Sequence, residues 1–297
     1  MNAIEIIGLK KSFRGMYAVN GLNMTVPVGS IYGFIGENGS GKSTTEKLIC
    51  GHLVPDSGKI KLFNQRYDHP GVRMRVGALI ENAGCFPSST VKQNLLMQAI
   101  NLGVKNREED ISRVLKTVRM ENEANLKFKN CSLGMKQRVG IAMALLGNPA
   151  LLILDEPING LDADGMKIMR EILTDITQNY GCTVLISSHI LGELEKIATH
   201  YGIIRQGKMI AELSAKDLEN RSRNLTAVKN TDNQKALVLL QRRFLNVKTS
   251  GEYLQVYGEN EVEDIVEYLL KNQCGVIEIK KNKIGLEEYY VELMSKN

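Results

Sequence analysis

The chain has no tryptophan, six prolines among its 297 residues, and aromatic residues at 5%. It also lacks any run of about 18 uncharged apolar residues, the least that would carry a helix across a bilayer. Its longest apolar stretch, Met143 to Leu154, is interrupted by Gly147, Asn148 and Pro149. The N-terminus, Met-Asn-Ala-Ile-Glu-Ile-Ile, shows no basic region before an apolar run, so no secretory signal is expected there. The cysteines (Cys50, Cys85, Cys131, Cys182 and Cys274) are scattered without CxxC spacing. That pattern argues against a disulfide framework or a zinc site and fits a reducing compartment. No basic run is interleaved with aromatics, so nucleic acid is not an expected partner.

What is present is a globular composition, 43% hydrophobic and 24% charged, with a net charge of +5. The excess lies wholly in the first 214 residues, 25 basic against 20 acidic; from Ala215 onward the count is 13 against 13. A mild positive charge suits a domain that binds a triphosphate. Ala3 to Val26 reads as antiparallel strands, and Ile31-Tyr32-Gly33-Phe34-Ile35 as a short buried strand leading into a glycine-rich turn and a helix from Lys42. Val91 to Val118 reads as strongly helical. Leu151–Leu154 and Thr183–Ile186 are continuous apolar runs of the kind buried on both faces of a parallel sheet. The order predicts an α/β fold: a doubly wound core with an antiparallel β subdomain and a helical insert over about 88–147. The expected division is 1–214 and 215–297. The second part reads as a small α/β appendage with strands near Leu225–Lys229, Leu254–Tyr257 and Val276–Lys280 and helices over Asn233–Arg243 and Glu261–Lys271.

Gly36-Glu37-Asn38-Gly39-Ser40-Gly41-Lys42-Ser43-Thr44 fits G-x-x-x-x-G-K-[ST]. Its glycines let the backbone curl until successive N–H groups face one point, and the following helix adds its own N-terminal donors. Lys42 is expected to reach the terminal phosphates, and Ser43 to offer its hydroxyl to the accompanying magnesium. An apolar strand before the loop and a helix after it separate the match from chance. By itself the loop says only "nucleoside triphosphate". Leu151-Leu152-Ile153-Leu154-Asp155-Glu156-Pro157 supplies the complement. A buried strand ends by presenting Asp155 as a magnesium ligand and Glu156 as the carboxylate that polarises the attacking water.

With these two motifs the sequence resembles the ABC ATPase family over about residues 3 to 215. Cys131-Ser132-Leu133-Gly134-Met135-Lys136-Gln137-Arg138 looks like a divergent form of its Leu-Ser-Gly-Gly-Gln signature, Asn159-Gly160-Leu161-Asp162 resembles its D-loop, and Ser187-Ser188-His189 its switch histidine. The resemblance implies ATP hydrolysis with ATP and Mg2+, and catalytic roles for Glu156 and His189. Ser132 and Gly134 would bind the phosphate held by an opposite subunit, with Asp162 also at the nucleotide. The departures are Leu133, which puts a side chain where backbone is expected to approach phosphate, and Met135. Phe13 is the expected adenine-stacking aromatic, with Tyr17 the alternative. Glu81 stands where the family has a glutamine that reaches toward magnesium. That substitution, in Val76-Gly77-Ala78-Leu79-Ile80-Glu81-Asn82, together with the altered signature and the ending Ile284–Tyr290, resembles the bacitracin-resistance and lantibiotic self-protection ATPases of Gram-positive bacteria. The implied protein is one ATPase subunit of a homodimer or heterodimer, held at the cytoplasmic face of the cell membrane by a separate permease, with Cys85–Leu96 as the docking segment. The competing expectation is a soluble ABC ATPase acting on a ribosome or nucleic-acid complex.

Overall fold

The structure is a computed structural model that describes residues 1–222, 225–244, 246–258, 261–281 and 285–296; of the segment Ile284–Tyr290, Ile284 lies outside the described residues. The chain divides into two compact units, Met1–Leu213 and Ser214–Asn297.

The first unit opens on two long strands, β1 (Asn2–Phe13) and β2 (Met16–Pro27), paired antiparallel. Their hairpin turns on Arg14 and Gly15, both at positive φ (50° and 83°), the left-handed pair that matches strand twist in a two-residue turn. β4 (Ser57–Leu62) and β5 (Gln65–Arg66) complete a sheet of order β2-β1-β4-β5. A second sheet has six strands in the order β10-β9-β3-β8-β7-β6. These are β3 (Ile31–Ile35), β6 (Val76–Leu79), β7 (Leu151–Asp155), β8 (Thr183–Ser188), β9 (His200–Arg205) and β10 (Lys208–Ser214). β3, β6, β7, β8 and β9 pair in parallel. Every residue of β3 and β8 is buried, which explains their unbroken apolar character. Helix α1 (Lys42–Ile49) contributes Leu48 and Ile49 to one apolar cluster that includes Ile4, Leu22, Phe34, Ile153 and Leu185, so both sheets share a core.

Between β6 and β7 lie α3 (Val91–Asn101), α4 (Arg107–Thr117) and α5 (Leu133–Leu145). The helical stretch expected over Val91 to Val118 is therefore two helices. Gly103 at φ 69° follows the first and turns the chain. Thr90 and Gln93 form a reciprocal capping box at the start of α3. The short helices α2 (Pro70–Arg73) and α7 (Leu191–Leu194) and the longer α6 (Ala163–Gln178) complete the unit.

The second unit begins with α8 (Ala215–Ser222) and runs β11 (Leu225–Asn230), α9 (Asn233–Arg243), β12 (Asn246–Ser250), β13 (Tyr253–Tyr257), α10 (Val262–Lys271), β14 (Val276–Lys281) and α11 (Leu286–Lys296). Its antiparallel sheet has the order β12-β13-β11-β14, the split β-α-β arrangement. Val228, Leu254 and Val256 of the sheet pack with Ala236 and Leu240 of α9 and Ile265 and Leu269 of α10 in a core of its own. α8, β12 and α11 lie outside the expected elements; β12, Asn-Val-Lys-Thr-Ser, carries one apolar residue and four polar ones.

Candidate active site

Strand register gathers the motifs. Ile35, the last residue of β3, pairs with Ser188 of β8, and Asp155, the last of β7, pairs with Ser187. Leu79 ends β6 beside Leu154. The phosphate-binding loop, the acidic pair, His189 and Glu81 therefore leave neighbouring strands at one edge, the carboxyl end of the sheet where α/β folds bind ligands.

The loop Gly36–Thr44 is shaped by contacts that admit no side chain. A Cβ on Gly36 would lie 2.5 Å from Ser40 Oγ and 2.6 Å from the Ile204 carbonyl oxygen. Gly41, at φ 110°, would place one 2.4 Å from the Ala18 carbonyl oxygen. Gly39 adds a second left-handed residue at φ 79°. Lys42 is buried and donates to the carbonyls of Gly36 (2.6 Å) and Glu37 (3.2 Å), so its ammonium lies across the loop. Ser40 Oγ is buried with no hydrogen-bond partner. An unpaired buried hydroxyl on a glycine-rich loop suits an anion's oxygen. Asn38 and Glu37 are exposed, and Ser43 and Thr44 are half-buried at the start of α1.

At the end of β7, Ser187 Oγ donates to Asp155 Oδ1 at 2.7 Å and fixes that carboxylate. The Glu156 N–H donates to the carbonyl and hydroxyl oxygens of Ser187 (3.2 and 3.1 Å). These bonds hold Glu156 at φ 49°, a left-handed conformation that costs a non-glycine residue about 1–3 kcal/mol. Glu156 Oε2 lies 2.8 Å from His189 Nδ1, and the histidine is half exposed. Ser188 Oγ accepts from the Ile190 N–H at 3.0 Å and sets the turn that carries His189.

Glu81 is also left-handed, at φ 65°. Its carboxylate pairs with Lys47 of α1 at 2.6 Å, and that hydrogen bond holds it below the usual carboxylate range. Ser132 caps α5, accepting from the Met135 N–H at 3.3 Å. Leu133 is half exposed, and a Cβ on Gly160 would lie 3.0 Å from its Cδ2, so the signature helix and the Asn159–Asp162 segment meet within one subunit. Among the described residues no hydrogen bond joins Ser132 or Gly134 to the phosphate-binding loop. Asp162 caps α6 through the Gly165 N–H at 2.8 Å. Phe13 is 45% exposed at the β1–β2 hairpin with the Lys11 ammonium 5.5 Å from its ring, and Tyr17 is exposed across the same turn.

Three contributors were missed in the sequence: Ser187, Lys47 and Glu46. The third left a signal. On α1 the buried residues Lys42, Thr45, Glu46 and Ile49 recur at the spacing of one helix face, which puts a carboxyl inside. Burial, and after it the neighbouring Asp155 carboxylate, pushes Glu46 up to about 8.

The match to the family model described as ABC transporter spans residues 19–159. The bacitracin transport ATP-binding protein BcrA of Bacillus licheniformis is 36% identical over 98% of this chain and 97% of its own length. The lantibiotic transport ATP-binding protein SrtF of Streptococcus pyogenes is 39% identical over 73% of this chain and 93% of its own. Among solved structures, cbiO1 from Clostridium perfringens, part of the ABC transporter complex cbiONQ, is 25% identical with a TM-score of 0.67, covering 82% of this chain and 96% of that one. With a phosphate-binding loop, an aspartate–glutamate pair and a histidine assembled on one sheet edge, the chain belongs to the ABC transporter family and is one of its ATP-binding, ATP-hydrolysing subunits.

Proposed function

We propose that this subunit powers export of a peptide antibiotic of the lantibiotic or bacitracin type, or resistance to one, through a separate integral-membrane permease. The observation that carries the motor half of this reading is the Glu156–His189 pair at 2.8 Å, formed where Glu156 follows Asp155 at the end of β7 and His189 follows β8. His189 orients the Glu156 carboxylate, which takes a proton from water as that water's oxygen bonds to the γ-phosphorus and the bond to the ADP oxygen breaks. Lys42 leaves the Gly36 and Glu37 carbonyls for the terminal phosphates, and Ser40 Oγ gains the partner it lacks. The hard oxygens of Ser43 and Asp155, joined by Glu81 once it leaves Lys47, suit Mg2+, which would offset phosphate charge. Phe13 stacks on adenine.

Each motif occurs once, and among the described residues no hydrogen bond joins Ser132, which caps α5, or Gly134, in its first turn, to the chain's own loop. Two subunits therefore face one another, alike or closely related, each offering its signature helix and Asp162 segment to the partner's nucleotide. Among the described residues no helix is long and apolar enough to cross a membrane, and this reading assigns the translocation path to a separate permease. The segment Cys85–Leu96, with Phe86 59% exposed, is the proposed docking surface. Attachment there would hold the subunit at the cytoplasmic face of the membrane. The antibiotic cargo rests on the match to the bacitracin transport protein, which continues through the second unit. Glu156→Gln is expected to lower ATP turnover by at least about 100-fold while preserving ATP-dependent dimerisation. Undiminished phosphate release would refute the catalytic assignment, and unchanged antibiotic tolerance in cells carrying the variant would refute the cargo.

A further inference from the structure

Glu46 is completely buried, and neither of its carboxyl oxygens has a partner at full hydrogen-bond geometry, although the Ser187 hydroxyl stands near enough to favour its ionised form against the burial. Such a group is costly. An apolar side chain of similar volume in the same place stabilises a fold, whereas an unpaired buried carboxyl detracts from it. Nothing in the packing of α1 calls for it, since the neighbouring buried positions Leu48 and Ile49 are filled by hydrocarbon. Its surroundings are those of the reaction. Lys42 is one helical turn earlier on α1, and Asp155 and Glu156 face it from the end of β7. Asp155 is tied by one oxygen to Ser187, which leaves its other oxygen without a side-chain bond of the same kind.

We propose that Glu46 is a positioning residue for ATP hydrolysis: its buried carboxyl, beside Ser187, hydrogen-bonds the Asp155–Ser187 pair and so sets the orientation of Asp155. The inference rests on the ATPase reading of the site. It explains why a polar group is retained where it weakens the nucleotide-free fold.

The test compares Glu46→Leu and Glu46→Gln in the full chain, measuring kcat and KM for Mg·ATP together with the melting temperature of the nucleotide-free protein. Glu46→Leu is expected to melt about 2–4 °C higher. Its kcat should fall by about tenfold or more with KM within about threefold, the mark of an interaction made in the transition state. Glu46→Gln keeps the hydrogen-bonding capacity and should retain at least about half of kcat. A leucine variant whose kcat stays within about twofold of the parent overturns the proposal, as does a glutamine variant that loses as much as leucine. Should the branched side chain disturb α1, Glu46→Met reads in the same way. Glu156→Gln assayed in parallel separates the two claims: normal turnover there would remove the site itself, while its loss beside an active leucine variant would remove only the role of Glu46.

Discussion

Residues 1–213 and 214–297 each pack helices on a sheet around an apolar core, but they treat polar and conformational strain differently. In the first unit eight non-glycine residues hold left-handed backbone, and two of them, Glu81 and Glu156, stand at the sheet's carboxyl edge. Ser40 and Glu46 bury polar oxygens without partners. In the second unit the described residues show one left-handed non-glycine residue, Gln273 in the turn after α10, and one orphan, Asn230 Oδ1. The orphaned oxygens of the first unit gather at the candidate site, whereas the appendage is locally consistent. Its sheet nevertheless has the regular split β-α-β topology, so absence of motifs does not mean absence of order.

The sharpest way to break this contrast is His189→Ala. It removes the side chain proposed to orient Glu156 and is expected to reduce kcat about 10- to 100-fold while leaving the melting temperature unchanged, as read by steady-state ATPase assay and calorimetry. The converse substitution lies in the second unit. Leu240→Ala empties a fully buried position between α9 and the sheet and should cost that unit about 2–5 kcal/mol, seen as an earlier melting step, with KM for ATP unaltered. A coupled loss of ATP affinity would show that the two units do not divide labour as described.

The smallest effect is a pH dependence. The folded-state value of Glu46, about 8, lies above its ordinary 4.5, so the folded chain binds the proton more tightly than the unfolded one. Its contribution to stability is full below 4.5 and declines as pH rises through about 8. Glu46→Gln should flatten that decline in chemical denaturation curves across this window. An identical slope in both proteins would show that the carboxyl is already ionised in the fold.

Much of the site was legible because its chemistry is local. The loop needs its glycines and Lys42 at fixed spacing, and a buried strand ending in Asp155-Glu156 needs only consecutive residues. The same holds for the strands β3, β7 and β8, whose unbroken apolar runs announce burial on both faces. The break between α3 and α4 was less legible, because Leu102 and Gly103 interrupt a pattern that is helical on either side. In the second unit β12 escaped notice because an edge strand with one buried residue, Val247, has no period to read.

The sequence by itself determined a loop, Gly36–Thr44, with the spacing of a triphosphate cradle and an apolar strand that ends in Asp155 and Glu156. It determined too that one subunit carries a single set of motifs. Only the tertiary structure decided what holds those residues in place. Ser187 is a neighbour of Asp155 because β7 and β8 are in register, 32 residues apart in the chain, and Lys47 meets Glu81 across 34. Glu46 becomes unusual only once α1 is laid against the sheet. The physical reason is common to all three: a side chain's partner, burial and charge environment are set by which distant strands and helices lie beside it, and no local spacing encodes that.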